Sequence, residues 1–201
     1  FPALRGREFT YLDNAGGSLV LEGVANRVRD YLLTSSVQHG ATYAKSQLAM
    51  QRLAQAQESV RTLINAARPE EVVMGPSTTA LLRILGIAIG ETLSPGDEIV
   101  VSVSEHEANF EPWEHLQKKG VKLVRWAVEP ETYRLDPQRL ASLMTARTKL
   151  VCCTHASNIL GTINPIREFA DIAHAHGAKI CVDAVAYAPH RLVDVRALDV
   201  D

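Results

Sequence analysis

The sequence lacks the features that mark several broad classes of protein. No apolar run approaches the ~18 residues that a membrane-spanning helix needs, and the first residues show no signal-peptide pattern. Lysine and arginine total 21 against 23 aspartate and glutamate residues, a net charge of −2. There is thus no basic excess of the kind that binds nucleic acid. We therefore expect a globular protein that binds neither membranes nor nucleic acids.

Cysteine is also scarce. The three present, Cys152, Cys153 and Cys181, all fall in predicted core strands. An odd number of buried cysteines is typical of reduced thiols in a cytoplasmic protein. Burial in apolar surroundings also makes a thiol a poor nucleophile, because it disfavours the thiolate and hides the sulfur. We predict a cytoplasmic protein whose cysteines here are structural.

Apolar runs and amphipathic stretches alternate along the chain. Several of the apolar runs are nearly continuous in Val, Ile, Leu and Cys, which is typical of strands covered on both faces. The alternation predicts an α/β fold with a doubly wound, mostly parallel sheet. The predicted strands are residues 71–75, 98–103, 122–128, 149–155 and 179–183, and the predicted helices are residues 44–65, 78–91, 107–119, 136–145 and 164–176.

Asp183 ends the last predicted strand. In open α/β sheets, ligands bind in the crevice beyond the carboxyl ends of the strands. A buried carboxylate there needs a cationic partner, and the protonated ring nitrogen of pyridoxal phosphate is one such partner. By itself a strand-end aspartate is more often a cap or a turn residue.

Three hydroxyl residues, Ser77, Thr78 and Thr79, open the predicted helix at residues 78–91. A helix N-terminus that carries hydroxyl groups is suited to hold a phosphate. The alternative is a plain N-cap by Ser77 or Thr78. The segment is not a Walker loop, because the Gly-Lys-Ser/Thr ending is missing.

Two further polar residues follow predicted strands. His106 comes after the second one and is suited to stack on a planar cofactor or to exchange a proton; the alternative is a polar loop histidine. No His/Cys pair at ligand spacing accompanies it, so no metal site is predicted. Asn158 follows the fourth strand and can donate to a phenolate-type oxygen, the alternative being an Asx turn before Gly161.

In order and spacing, these motifs resemble the class V, fold-type I pyridoxal-phosphate enzymes of the cysteine desulfurase and selenocysteine lyase group. The resemblance covers nearly the whole chain, and Asp183 stands where that group pairs an aspartate with the pyridinium nitrogen. The matching segments are residues 11–17, 77–79, 105–113, 155–162 and 182–183.

The resemblance implies a role for each site residue. Ser77, Thr78 and Thr79 would hold the cofactor phosphate, His106 would stack on the ring and act in catalysis, and Asn158 would lie beside the cofactor's O3′. It also implies a pyridoxal 5′-phosphate enzyme that acts on an amino acid through a Cα carbanion, most simply by cysteine desulfuration. A homodimer is expected, with a sulfur-acceptor protein as a candidate partner.

Two departures from the group's pattern bear on that function. Ala186 stands where the group usually has a glutamine that donates to O3′, so Asn158, helped by Tyr187, would have to hold this oxygen. The group's Schiff-base lysine comes after a segment like residues 197–201, and none of the lysines present ends a predicted strand. We expect residues 1–43 to be an N-terminal segment approaching the site, and residues 44–201 to be part of the large cofactor-binding domain.

Other functions stay open on this pattern. An epimerase or aminotransferase of the same family would use the same carbanion. A non-catalytic, truncated cofactor-domain fragment would need no Schiff-base lysine. A Rossmann-type nucleotide binder is disfavoured, because no Gly-x-Gly-x-x-Gly turn follows a first strand.

Overall fold

A parallel sheet lies at the centre of the computed structural model, which describes residues 1–6, 8 and 10–201. The sheet order is β2-β1-β3-β4, and each neighbouring pair is parallel. This confirms the predicted α/β class and the parallel sheet. The strands are β1 (Glu98–Ser102), β2 (Lys122–Trp126), β3 (Thr148–Thr154) and β4 (Lys179–Asp183).

Helices connect the strands, and none of those described is long and apolar enough to cross a membrane. Short 3-10 turns lie at Pro2–Leu4, Pro69–Glu71, Glu107–Asn109 and His115–Lys119. The α-helices are α1 (Glu22–Thr34), α2 (Ala44–Leu63), α3 (Thr78–Gly90), α4 (Glu111–Glu114), α5 (Pro137–Leu143), α6 (Ile166–Ala175) and α7 (Val195–Leu198).

Side chains on both faces of the sheet are covered, as a doubly wound fold requires. On β1, Ile99 and Val101 point to one face and pack in a cluster with Trp113. Val100, between them, packs on the other face with Trp126 and the α6 residue Phe169. All six of these residues are 0% exposed. Burial on both faces explains why the three central positions of β1, residues 99–101, are all apolar.

The predicted strand at residues 71–75 is wrong. Glu71 ends a 3-10 turn, and the Val72 N–H closes that turn on the Pro69 carbonyl at 3.0 Å. Within the described part of the chain, this segment belongs to no strand of the sheet. Val73 is 74% exposed, so the apolar run does not mark burial here, and Pro76 has no N–H for a ladder.

The predicted helix at residues 107–119 is wrong as a continuous element. Its range is divided between a 3-10 turn at Glu107–Asn109, the single turn α4 and a second 3-10 turn. Pro112 lies at the start of α4. Proline lacks an N–H and clashes with the preceding turn of a helix, so a new helical segment begins beside it. The other four predicted helices are present with slightly shorter ends.

The described residues form two compact units, Phe1–Thr62 and Leu63–Asp201. The first contains α1 and nearly all of α2, and the second contains the whole sheet. In the first unit, the Tyr11 hydroxyl donates to the Gly17 carbonyl at 2.5 Å and closes the loop at residues 11–17. The division predicted at residue 43 concerns the domains of a whole enzyme and stays a prediction.

Helix α3 runs alongside the segment that contains α4. Arg83 pairs with Glu111 at 2.7 Å, Gly86 lies against Pro112, and Gly90 lies against Leu116. Both segments run in the same direction, so the residues before these pairs also lie side by side. The first turn of α3 is therefore next to the Glu107–Asn109 turn, which the helix contacts. The close approach depends on glycine, because a Cβ at Gly86 would lie 2.9 Å from the Pro112 Cβ.

We expect Gly86→Ala to lower the free energy of unfolding by about 1–2 kcal/mol. Overpacking costs about 1–3 kcal/mol, and the better helix propensity of alanine offsets up to about 1. Chemical denaturation measures the change. Gly23→Ala in α1 is the control, because nothing lies within 4 Å of its Cβ position. A Gly86→Ala protein as stable as the parent would contradict the contact.

Candidate active site

Three of the predicted site residues, His106, Asn158 and Asp183, lie at or just after strand ends along one edge of the sheet. Because the strands are parallel, the carboxyl ends of β1, β3 and β4 lie along the same edge. Thr154, the last residue of β3, is in register with Asp183, the last residue of β4. The loop after β1 carries His106, and the loop after β3 carries Asn158.

Asp183 is buried, with 9% of its surface exposed. Its Oδ1 accepts the Val185 N–H at 2.9 Å, and its main-chain carbonyl accepts the His155 N–H at 2.8 Å. No lysine, arginine or histidine of the described residues forms an ion pair with it. A buried carboxylate without a cation is costly. The residue therefore fits a cationic ligand such as a protonated pyridine ring.

His106 is exposed, and it caps the turn that follows it. Its Nδ1 accepts the Ala108 N–H at 3.1 Å. That bond sets the tautomer, because the neutral ring must then carry its proton on Nε2. One ring edge is thus anchored to the main chain, while the ring face and the Nε2–H stay available for a ligand.

The start of α3 combines a cap with free donors. Ser77 is the N-cap, and its hydroxyl accepts the Ala80 N–H at 3.2 Å, so the cap interpretation is correct for this residue. Thr78 and Thr79 lie in the first turn, whose N–H groups have no partner inside the helix. The hydroxyls and these N–H groups together make this turn suited to bind an anion.

Asn158 lies in a tight loop after β3. The turn is made by Ser157, whose Oγ accepts the Ile159 and Leu160 N–H groups at 3.3 and 3.1 Å. Gly161, with φ of +69°, completes the reversal. The Asx-turn alternative is therefore wrong, and no hydrogen bond from a described residue occupies the Asn158 amide. The side chain is left free for a ligand.

Glu105 contributes hydrogen bonds at this edge that no pattern in the sequence indicates. One of its carboxylate oxygens accepts the Ser102 hydroxyl and also the Thr154 N–H, the latter at 2.7 Å. The other accepts the Asn109 Nδ2–H at 2.6 Å. Burial raises the pKa of the Glu105 carboxyl to about 7, the nearby Asp183 charge adds to the increase, and the three donors oppose it.

A stacked pair of rings also lies at this edge. His155 and Tyr187 lie with ring centroids 3.5 Å apart and planes 9° apart. His155 is 4% exposed, and its Nδ1 has no partner among the described residues. Burial lowers the pKa of this imidazole, so it is neutral near pH 7. Tyr187, which stacks on His155, lies in the turn after β4, so the spacing of residues along the sequence could not reveal the contact.

The three cysteines are free thiols. Cys152 and Cys153 are fully buried, and burial raises the pKa of both well above its usual value. Both stay protonated at neutral pH, as predicted for structural cysteines. Among the described residues, no group of three His, Cys, Asp or Glu side chains is arranged to hold a metal ion.

The raised pKa of Glu105 has a measurable consequence for stability. The folded chain holds this proton more tightly than the unfolded chain, whose pKa is near 4.5. Stability from this carboxyl is therefore present below pH 4.5 and is lost as pH rises through about 7. We expect a loss of up to about 3 kcal/mol between pH 4.5 and 8 that is absent in Glu105→Gln.

Chemical denaturation of the cofactor-free protein measures this difference. Contributions from other titrating groups cancel between parent and variant. Glu131→Gln, at an exposed position, is the matched control and should keep the pH dependence of the parent. A parent and a Glu105→Gln protein with parallel pH profiles would contradict the raised pKa.

Comparison with known proteins finds relatives and solved structures over nearly the whole of this chain. Aminotransferase-like protein FGM3 of Gibberella zeae is 43% identical over 208 residues, covering 100% of this chain and 51% of that protein. Cysteine desulfurase-like protein ustD of Aspergillus flavus is 38% identical over 208 residues, covering 100% and 47%. The apo structure of a cysteine desulfurase from Thermococcus onnurineus NA1 superposes with a TM-score of 0.88 at 30% identity, covering 96% of this chain and 48% of that one.

The chain thus spans about half the length of the curated relatives it matches. The resemblance to class V, fold-type I enzymes is confirmed, and their cofactor is pyridoxal phosphate. The residues present fit that group: Asp183 is a buried carboxylate that no cation of the described residues pairs with, the His106 ring is exposed, and the first turn of α3 contacts the turn that His106 caps. With a family model matched over residues 10–201, the chain belongs to the aminotransferase class-V family.

Proposed function

We propose that the protein containing this chain is a pyridoxal-phosphate enzyme that cleaves the C–S bond of cysteine or a closely related amino acid. The observation that carries the proposal is the buried Asp183 carboxylate, which lacks a cation among the described residues at the sheet edge where His106 and Asn158 also lie. Similarity to cysteine desulfurase-like relatives supports the choice of reaction. When bound, pyridoxal phosphate supplies an electron sink for a carbanion at the substrate Cα.

Asp183 has the central electrostatic part in this proposal. Its carboxylate would hold a proton on the ring nitrogen, because a buried negative charge strongly favours the cationic form of a neighbour. The Val185 N–H, bound to Oδ1 at 2.9 Å, fixes the orientation of the carboxylate. No donor among the described residues occupies Oδ2, so this oxygen is free to accept from a ligand.

The remaining site residues would position the cofactor. Thr78 and Thr79 would bind its phosphate with their hydroxyls and with free N–H groups of the α3 N-terminus, and Ser77 would keep that turn formed through its cap. His106 would cover the ring face and present the Nε2–H to the substrate side. These roles are proposals.

The O3′ oxygen would depend on Asn158. Ala186 has no donor, and the Tyr187 ring is stacked on His155. The Ser157-centred turn leaves the Asn158 amide without a competing bond from the described residues, so this residue would donate to O3′, with the Tyr187 hydroxyl as the second candidate donor. Alanine at position 186 removes one neutral donor, and a phenolate with fewer donors is less stabilised, which would set the basicity of the site apart from that of desulfurases with the usual glutamine.

The division of the whole enzyme, its location and its partners are also proposals. Residues 1–43 would approach the active site, and residues 44–201 would form part of the large cofactor-binding domain. Three free thiols support a reducing compartment such as the cytoplasm. A homodimer and a sulfur-acceptor protein follow from the family resemblance, and sedimentation of the full-length protein would test the first of them.

The direct test is cofactor trapping in the full-length protein. We expect a visible absorption band that borohydride removes, with one phosphopyridoxyl group then fixed to a lysine and located by peptide mass mapping. In a separate sample not treated with borohydride, cysteine should yield alanine and sulfane sulfur, which an added thiol such as dithiothreitol reduces to sulfide for detection. Transamination or epimerisation products would point to the other members of the family, and a protein without bound cofactor would contradict the enzyme assignment.

Asp183→Asn should abolish most turnover and leave the fold intact. We expect kcat to fall by about 100-fold or more, because a neutral amide does not stabilise the charge on the ring. Steady-state kinetics and circular dichroism of the full-length variant measure the two effects. The control is Asp171→Asn, which removes only an exposed ion pair with Arg167. Equal turnover in the two variants would refute the role of Asp183.

His106→Ala should shift the absorption maximum of the bound cofactor, because a ring that stacks on a chromophore changes its surroundings. The control is His115→Ala, an exposed histidine whose Nδ1 is bonded to the Glu111 carbonyl. We expect its spectrum to match that of the parent. If the His106→Ala spectrum also matched, His106 would not lie on the ring face.

A further inference from the structure

The last residue of β3 has an unusual hydrogen-bond partner. In the ladder between β1 and β3, the final register pair is Val101 with Cys152. The Thr154 N–H lies beyond this ladder, and a buried N–H without an acceptor is costly. The Glu105 carboxylate supplies the acceptor at 2.7 Å, across 49 positions of sequence. A side chain of the loop after β1 therefore completes the hydrogen bonding at the edge of the sheet.

The same carboxylate ties that loop to the core below it. Its second oxygen accepts the Asn109 Nδ2–H at 2.6 Å, and the Asn109 Oδ1 accepts the Trp113 indole N–H at 3.3 Å. Asn109 and Trp113 are both 0% exposed. Buried polar networks in which every member is satisfied hold their parts in one arrangement. The chain of bonds thus runs from the β3 terminus to the packed indole.

This network fixes the main chain on either side of His106. Glu105 precedes it and is anchored to Thr154. Ala108 follows it, and its N–H is bound to the His106 Nδ1. Thr154 is itself in register with Asp183. The Glu105 carboxylate thus links the loop that carries His106 to the strand residue in register with Asp183.

We propose that Glu105 is a positioning residue for the cofactor, which holds the His106 loop in place relative to the ends of β3 and β4, so that His106 would meet the ring that Asp183 and Asn158 would bind. The inference rests on the proposed function, because it takes His106 as the ring-facing group. Glu105 touches neither cofactor nor substrate in this role, and acts through the main chain of the loop. Three donors on one side chain hold it in a single arrangement, since its two oxygens accept from Ser102, Thr154 and Asn109 together.

The test uses the full-length protein, a single variant and a double variant. In Glu105→Gln, the new amide oxygen can still accept from Ser102 and Thr154, but the new NH₂ group faces the NH₂ group of Asn109. Adding Asn109→Asp replaces that NH₂ group with a carboxylate oxygen, which accepts from the new amide. The other carboxylate oxygen still accepts the Trp113 indole N–H. The double variant therefore rebuilds the network with the carboxylate moved by four positions.

Three quantities are measured for each protein: the dissociation constant of pyridoxal phosphate from the apoprotein, the absorption maximum of the bound cofactor, and the melting temperature of the apoprotein. We expect Glu105→Gln to weaken cofactor binding about tenfold and to shift the absorption maximum. The double variant should return both toward the parent values. A Glu105→Gln protein that fails to fold would overturn the proposal, since the carboxylate would then be required for the fold itself.

The outcomes separate positioning from simple stabilisation. A Glu105→Gln protein with a lower melting temperature but with parental binding and absorption would overturn the proposal, since the carboxylate would then serve only the fold. A double variant as impaired as the single one would also overturn it. A parent protein that binds no pyridoxal phosphate would instead refute the proposed function on which the inference rests.

Discussion

The structure depends on one constraint, which is that every main-chain N–H and carbonyl of a buried strand must find a partner. Parallel pairing meets it within the sheet and leaves the carboxyl ends of β1, β3 and β4 along one edge. At that edge the main-chain ladder stops, and side chains must form hydrogen bonds with the last main-chain N–H and carbonyl groups. Glu105 does so for the Thr154 N–H, and Asn164 does so for the Thr154 carbonyl at 2.7 Å. The candidate site is built where the sheet ends because polar side chains are required there in any case.

Much of this arrangement can be predicted from the sequence. Strand β4 matches its predicted bounds of residues 179–183, since a continuous apolar run that ends at a carboxylate allows few other interpretations. Helix α3 also begins where the hydroxyl residues predict, because Ser77 does cap it. The convergence of His106, Asn158 and Asp183 on one edge follows from the parallel topology, which the alternation of strands and helices already indicates.

Other parts could not be predicted, for identifiable reasons. An apolar run shows that residues are apolar and does not show what covers them, so the pattern predicts a strand at residues 71–75 although Val73 is 74% exposed. Pro112 is a local sign that residues 107–119 do not form one helix. The network of Glu105 has no signal in the pattern, because its most informative partner, Thr154, lies 49 positions away and offers only a main-chain N–H.

Glu105 and Asp183 are both carboxylic acids at the site, and their different hydrogen bonds give them different roles. Glu105 accepts from three protein donors, while Asp183 is given one donor on its side chain and no cation by the described residues. A carboxylate whose lone pairs are filled by the protein is fixed and has little left for a ligand. Asp183 is only 9% exposed and most of its lone pairs have no protein donor. A buried carboxylate of this kind is stable only beside a cation. The fold can therefore place two buried acids close enough for the charge of Asp183 to raise the pKa of Glu105 and still direct only Asp183 toward the cofactor.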